Sequence, residues 1–266
     1  MVDLLQYEFM RNALAAAVLA SLISGILGPI TVIRRSVMTT GGVAHGAYGG
    51  LGLAWFMGWP PRAGVYGAAL ILAGIATYLN RKAPDRSDSI MGILWAVGMA
   101  VGIIFTDLTP GYGTELTSYL FGSILTVSSS DLAVMACLAL ASIGLTIFRY
   151  SSIEAFLFDE TYAATRGIPV GKLDWILTVL TSLAVVAVIR VVGLILVIAL
   201  FTIPSALTEK GSRSLASMMI RSTLAAGTFC MAGLWLSVRF DVTAGAAIVL
   251  IAALSCLAAY GMKSLR

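Results

Sequence analysis

Residues 12–33 read NALAAAVLASLISGILGPITVI, and the run ends at Arg34-Arg35. A helix that crosses a hydrocarbon core of about 30 Å needs roughly 20 mostly apolar residues, and this stretch supplies them without a charge. It exceeds the 7–15 residues of a signal-peptide apolar core, and only Arg11 stands directly before it. The expectation is a first span that stays in the membrane.

The same pattern continues outward. Apolar runs between charges and Pro/Gly breaks give nine candidate spans, at about 12–33, 43–58, 62–80, 90–106, 131–148, 172–189, 191–208, 215–238 and 243–262. A lone Arg190 separates the sixth from the seventh, so one long broken helix, and eight spans, is the alternative. Residues 117–127 (TSYLFGSILTV) are apolar but half the needed length, and read as a short packed or re-entrant helix. Composition agrees. Of 266 residues 59% are hydrophobic and 11% charged, where a soluble domain carries about 25% charged residues. Mean hydropathy is +0.96. A soluble enzyme, a disordered chain and a nucleic-acid-binding domain are excluded; the net charge of +4 is spread thinly, with no basic cluster to track phosphates. The fold expected is an all-α membrane protein, a polytopic bundle of eight or nine helices forming one domain over 1–266.

Positive charge sets the expected orientation. Nine alternating spans place Arg34, Arg35, Arg81, Lys82, Arg86, Arg149, Arg166, Lys172, Lys210, Arg213, Arg221, Lys263 and Arg266 on one side, and Arg11, Arg62, Arg190 and Arg239 on the other. The richer side is the cytoplasm. The N-terminus then lies outside and the C-terminus inside, and the acidic loop Asp107–Glu115 faces out, where it and Asp241 read as solvated loop charge.

Polar chemistry within the spans is sparse. His45 is the only histidine, in TTGGVAHGAYGG, with Gly41 and Gly49 one turn to either side and Tyr48 three residues on. It reads either as a metal ligand or pathway residue, or as a histidine hydrogen-bonded to a neighbouring helix. Gly42, Gly46 and Gly50, joined by Gly49 and Gly52, have the small-residue spacing that lets membrane helices approach closely. Cys137, Cys230 and Cys256 lie in separate apolar runs and read as small buried hydrophobes. There is no Walker A pattern, nucleophile elbow or HExxH, so no bound cofactor and no catalytic residue is expected, and the lack of a visible internal repeat disfavours the secondary-transporter folds built from such repeats.

The longest loop expected in the cytoplasm, about 150–171, reads YSSIEAFLFDETYAATRGIPVG. Ser152–Thr165 suits a short amphipathic helix capped by Ser152 and ended by Gly167-Ile168-Pro169. Phe156, Phe158 and Tyr162 beside Asp159, Glu160 and Arg166 suggest a docking surface, with packing back onto the chain's own helices as the alternative.

Four ordered blocks resemble the ABC-3 family, the zinc/manganese/iron-type metal-ion permeases of ABC importers. They are residues 9–55 (FMRNALAAAVLASLISGILGPITVIRRSVMTTGGVAHGAYGGLGLAW), 118–132 (SYLFGSILTVSSSDL), 155–177 (AFLFDETYAATRGIPVGKLDWIL) and 190–208 (RVVGLILVIALFTIPSALT). The resemblance implies a homodimeric permease in the cell membrane lipid, two ATPase subunits beneath and an extracytoplasmic metal-binding protein above. The cargo it implies is a divalent cation, Zn²⁺ or Mn²⁺ first and Fe²⁺ next. It also implies that Phe156, Phe158, Asp159, Glu160, Ala163, Gly167 and Pro169 couple to the ATPase. The family commonly has an aspartate four residues before the histidine; here Gly41 takes its place. The rival functions are a secondary, ion-gradient-driven cation transporter and an ABC permease for a metal chelate or cofactor.

Overall fold

The computed structural model describes residues 6–109 and 127–264, and every regular element within them is helical. Ten α-helices follow one another: α1 (Glu8–Ile33), α2 (Val37–Met57), α3 (Pro61–Lys82), α4 (Ser87–Asp107), α5 (Ser129–Phe158), α6 (Glu160–Thr165), α7 (Val170–Val192), α8 (Leu194–Glu209), α9 (Leu215–Phe240) and α10 (Ala244–Ser264). Six segments are long and apolar enough to cross a membrane: Glu8–Ile33, Pro61–Lys82, Pro84–Asp107, Ser129–Phe158, Val170–Arg190 and Leu215–Phe240. Shorter apolar runs occupy Leu196–Glu209 and Ala244–Ala259. α2, with its glycines, threonines and histidine, is buried along most of its length and is not among the six. The expected short helix at 117–127 and Glu115 lie outside the described residues, save Val127.

The helices gather into two compact units. The first comprises Met1–Arg34, Leu120–Phe148 and Ala187–Arg266, the second Arg35–Tyr119 and Arg149–Val186. In the first, α1 packs on α8 and α9, which also pack on α10. On α1, close approach is enforced at two glycines. A Cβ on Gly28 would strike the Phe201 carbonyl and Ser205 Oγ, and one on Gly25 would strike Thr223. Ser205 and Ser222, both fully buried, share a hydrogen bond of 3.1 Å between their hydroxyls, which satisfies groups that lipid or core would leave unpaired.

The second unit is built on α2, with α3 on one side and α4 on another. Val43, Ala47, Tyr48, Leu51 and Trp55 of α2 form its core with Val65 and Ala69 of α3 and Val186 of α7. The packing reading of the glycines holds. Gly42 faces Met91, Gly49 faces Gly98 and Gly52 faces Gly102, so numbers rise together and α2 runs parallel to α4. Gly50 meets Gly64 while Gly46 meets Leu72, so α3 runs antiparallel between them in sequence. The three helices thus alternate in direction along the chain.

Two expected boundaries are corrected. The break between α7 and α8 comes at Gly193 and not at Arg190, because Gly193 adopts φ +88°, ψ 163°, a conformation essentially reserved for glycine. Arg190 stays helical in α7, its Nη1 3.7 Å from Asp131 Oδ1. The span expected to end at 148 continues as helix to Phe158, with a kink at Arg149 (φ −121°, ψ 18°).

Candidate functional site

The segment joining α5 to α7 is the more sharply built of the two expected sites. Ser152 is not an N-cap; it lies inside α5, where the Tyr150 hydroxyl donates to Glu154 Oε1 (3.1 Å) one turn on. The cap is Asp159. Its backbone is extended, and its Oδ1 accepts from the Tyr162 N–H at 2.8 Å, which starts α6 as a helix of 6 residues. Gly167 ends the turn at φ +75°, a left-handed conformation that places its N–H on the Ala164 carbonyl (3.0 Å) and the Ile168 N–H on that of Ala163 (3.1 Å). The Pro169 carbonyl then accepts from Lys172 and Leu173 and opens α7.

The aromatics divide between two faces. Phe156 is 7% exposed and, like Ile153 and Ala163, buried, which corrects its expected place on the surface. Phe158 (67%) and Tyr162 (51%) are exposed, with the Arg166 guanidinium 5.9 Å over the Tyr162 ring. Together with Ser151, Glu154 and Asp159 these residues line a groove of about 540 Å³. Glu160 is exposed beside it. The structure therefore brings Phe158, Asp159 and Tyr162 together along one groove, leaves Phe156 and Ala163 buried, and uses Gly167 and Pro169 as the end of the turn.

His45 stands on α2 with its ring stacked on Trp95 of α4, centroids 3.8 Å apart and planes at 16°. Its Nδ1 is buried without a hydrogen-bond partner among the described residues. The notch beside it is filled, because Gly49 meets the Gly98 carbonyl. Among the described residues no three His, Cys, Asp or Glu side chains gather where they could hold a metal ion. Trp95 went unmarked in the sequence, since nothing in the spacing of two separate helices joins it to His45. The Gly98/Gly102 pair, by contrast, carries the same four-residue spacing as α2 and was open to notice.

The ABC 3 transport family model matches residues 6–263. The chain belongs to that family. An uncharacterized membrane protein of Synechocystis is 43% identical over 97% of this chain and 92% of its own length. The manganese transport system membrane protein MntC of Halalkalibacterium halodurans is 31% identical over 94% of this chain and 86% of its own. Among solved structures, PsaBC from Streptococcus pneumoniae in complex with Fab superposes with a TM-score of 0.87 at 30% identity, covering 97% of this chain and 94% of that one. This ABC 3 family member is thus a multi-pass membrane protein and a transport permease, a subunit type that is not itself an enzyme.

Proposed function

We propose that the chain is the permease subunit of an ATP-binding-cassette importer for divalent metal cations, with manganese or zinc the foremost cargo and iron next. A second copy completes the pore, an extracytoplasmic binding protein delivers the ion, and a separate ATPase docks at the α6 turn. Eight or nine crossings, N-terminus out and C-terminus in, belong to the same reading. The observation that carries it is the likeness, over nearly the whole chain, to a relative named for manganese transport. The 266 residues contain no Walker A motif, which supports the reading that hydrolysis belongs to a separate subunit.

His45 is the pathway residue in this reading, its Nδ1, without a hydrogen-bond partner among the described residues, supporting a role beyond packing. A chelate cargo is the second reading. Gly41 where the family commonly has a carboxylate favours it, since a chelate brings its own ligands.

The test is uptake into vesicles holding permease and ATPase, with labelled Mn²⁺, Zn²⁺, Fe²⁺ and their chelates offered in turn. Uptake of a free cation dependent on ATP is expected; uptake of chelates alone, or uptake driven by an ion gradient without ATP, overturns it. His45→Phe keeps a ring on Trp95 but removes the nitrogens. It should lower cation uptake by at least the roughly tenfold that loss of even an outer-shell partner costs a metal site. Normal uptake by that variant would leave His45 as packing.

A further inference from the structure

In the second unit, the last turns of α3 and the first turns of α7 enclose a groove of about 540 Å³. Gly74, Tyr78 and Arg81 line it from α3, and Lys172, Trp175 and Ile176 from α7. The two stripes are helical repeats of three to four residues, and they run in opposite directions. Both cations therefore stand at one end. The Arg81 guanidinium reaches α7 itself, 2.8 Å from the point that a Cβ on Gly171 would occupy. One turn further in, Tyr78 (62% exposed) and Trp175 (51%) flank the groove, and beyond them Gly74 and Ile176 leave it apolar.

Neither the Arg81 guanidinium nor the Lys172 ammonium makes a hydrogen bond or ion pair among the described residues. The one acidic side chain next along α7, Asp174, is buried and already engaged. The groove is thus positive at its mouth and uncharged along its length. Arg81 and Gly74 are two turns apart, about 10 Å along a helix. A headgroup phosphate at the mouth would place its glycerol beside the aromatics, which favour that depth of the interface. Basic pockets between membrane helices on the cytoplasmic side take acidic headgroups in this way.

We propose that this groove holds one anionic phospholipid, its phosphate between Arg81 and Lys172 and its acyl chain along Gly74 and Ile176. The site is independent of the transported ion and of His45. It rests on the membrane-spanning reading, and its test reads lipid retention, so it stands or falls apart from the cargo.

Native mass spectrometry of the purified permease, released from nanodiscs of phosphatidylcholine with one-fifth phosphatidylglycerol, counts the lipids each protomer keeps. Wild type should retain one phosphatidylglycerol in preference to phosphatidylcholine. Arg81→Gln and Lys172→Gln should each lower that retention about fivefold, the worth of one basic residue at a membrane surface. Gly74→Trp fills the groove and leaves both charges. Nothing lies within 4 Å of a Cβ at Gly74, so the new side chain starts from open space; with an unchanged unfolding temperature as the check on folding, this variant too should lose the lipid. Equal retention by wild type and the charge variants overturns the site. So does full retention by Gly74→Trp, which would make the effect one of surface charge. Displacement by millimolar inorganic phosphate would mean a free-anion site, and self-crosslinking of Tyr78→Cys would mean that a second copy covers this face; either result overturns the proposal.

Discussion

At the scale of single residues the glycines sort into those that set a helix distance and those that do not. A Cβ on Gly52 would run into the Gly102 carbonyl, and backbone cannot turn aside as a side chain would. Gly52→Ala must therefore push α2 from α4 and should cost about 1–3 kcal/mol, the usual range for overpacking. Gly92, on α4, has nothing within 4 Å of a Cβ. Gly92→Ala should be neutral or stabilise by up to about 1 kcal/mol, since it only relieves glycine's conformational entropy. Thermal unfolding of the two variants in one detergent compares them directly, and equal shifts would show that the seam does not set the helix spacing. The α2 half of this seam was legible in the sequence because five glycines fall within eleven residues, 42–52. What the spacing could not convey is the partner. His45 is conspicuous as the sole histidine, yet the ring against it, Trp95, sits two helices later, and only the parallel register of α2 and α4 brings them together.

At the scale of elements, apolar run length located the nine helices of 16 residues or more among the described residues, because charges and Pro/Gly breaks mark where a chain can leave lipid. The α5–α7 connection was harder. Ser152 and Asp159 are both acceptable caps, and the choice between them depends on tertiary burial: Ile153 and Phe156 are buried, which keeps the chain helical past Ser152, whereas Phe158 is not. Asp159 then stops the helix and restarts it. That economy gives a rigid turn on which Phe158 and Tyr162 project. If the ATPase docks there, Phe158→Ala should cost about 2 kcal/mol or more of association, as an exposed aromatic anchor does. Asp159→Ala should loosen α6 by about 1 kcal/mol through the lost cap, while Asp159→Asn keeps an accepting oxygen and preserves the turn. Co-purification of the ATPase with each variant, and its stimulation in vesicles, reads the effect. Undiminished association of Phe158→Ala would reduce the turn to a connector.

At the scale of the whole molecule, the strongest constraint on topology comes from within the second unit. α2 and α4 are parallel and α3 antiparallel to both, so the start of α2, the end of α3 and the start of α4 share one end of the unit. Arg81 also touches the start of α7 at Gly171, which brings the α6 turn to that same end. Arg35, Arg81, Lys82, Arg86, Arg166 and Lys172 are thus gathered at one end, and at the other stand Arg62 and Asp107. A cation bias of this kind is what retains loops in the cytoplasm during insertion. Two cysteines test it, in a chain whose Cys137, Cys230 and Cys256 have been replaced by alanine. Asp85→Cys lies exposed in the turn between α3 and α4, and Leu108→Cys lies exposed just past α4. A membrane-impermeant maleimide should label Leu108→Cys in intact cells and Asp85→Cys only in inverted vesicles. The reverse pattern would invert the orientation and move the α6 turn away from any cytoplasmic ATPase. Labelling of both from one side would be a deeper failure, because α4 would then not cross the membrane, and the parallel pairing of α2 with α4 would no longer describe three successive spans.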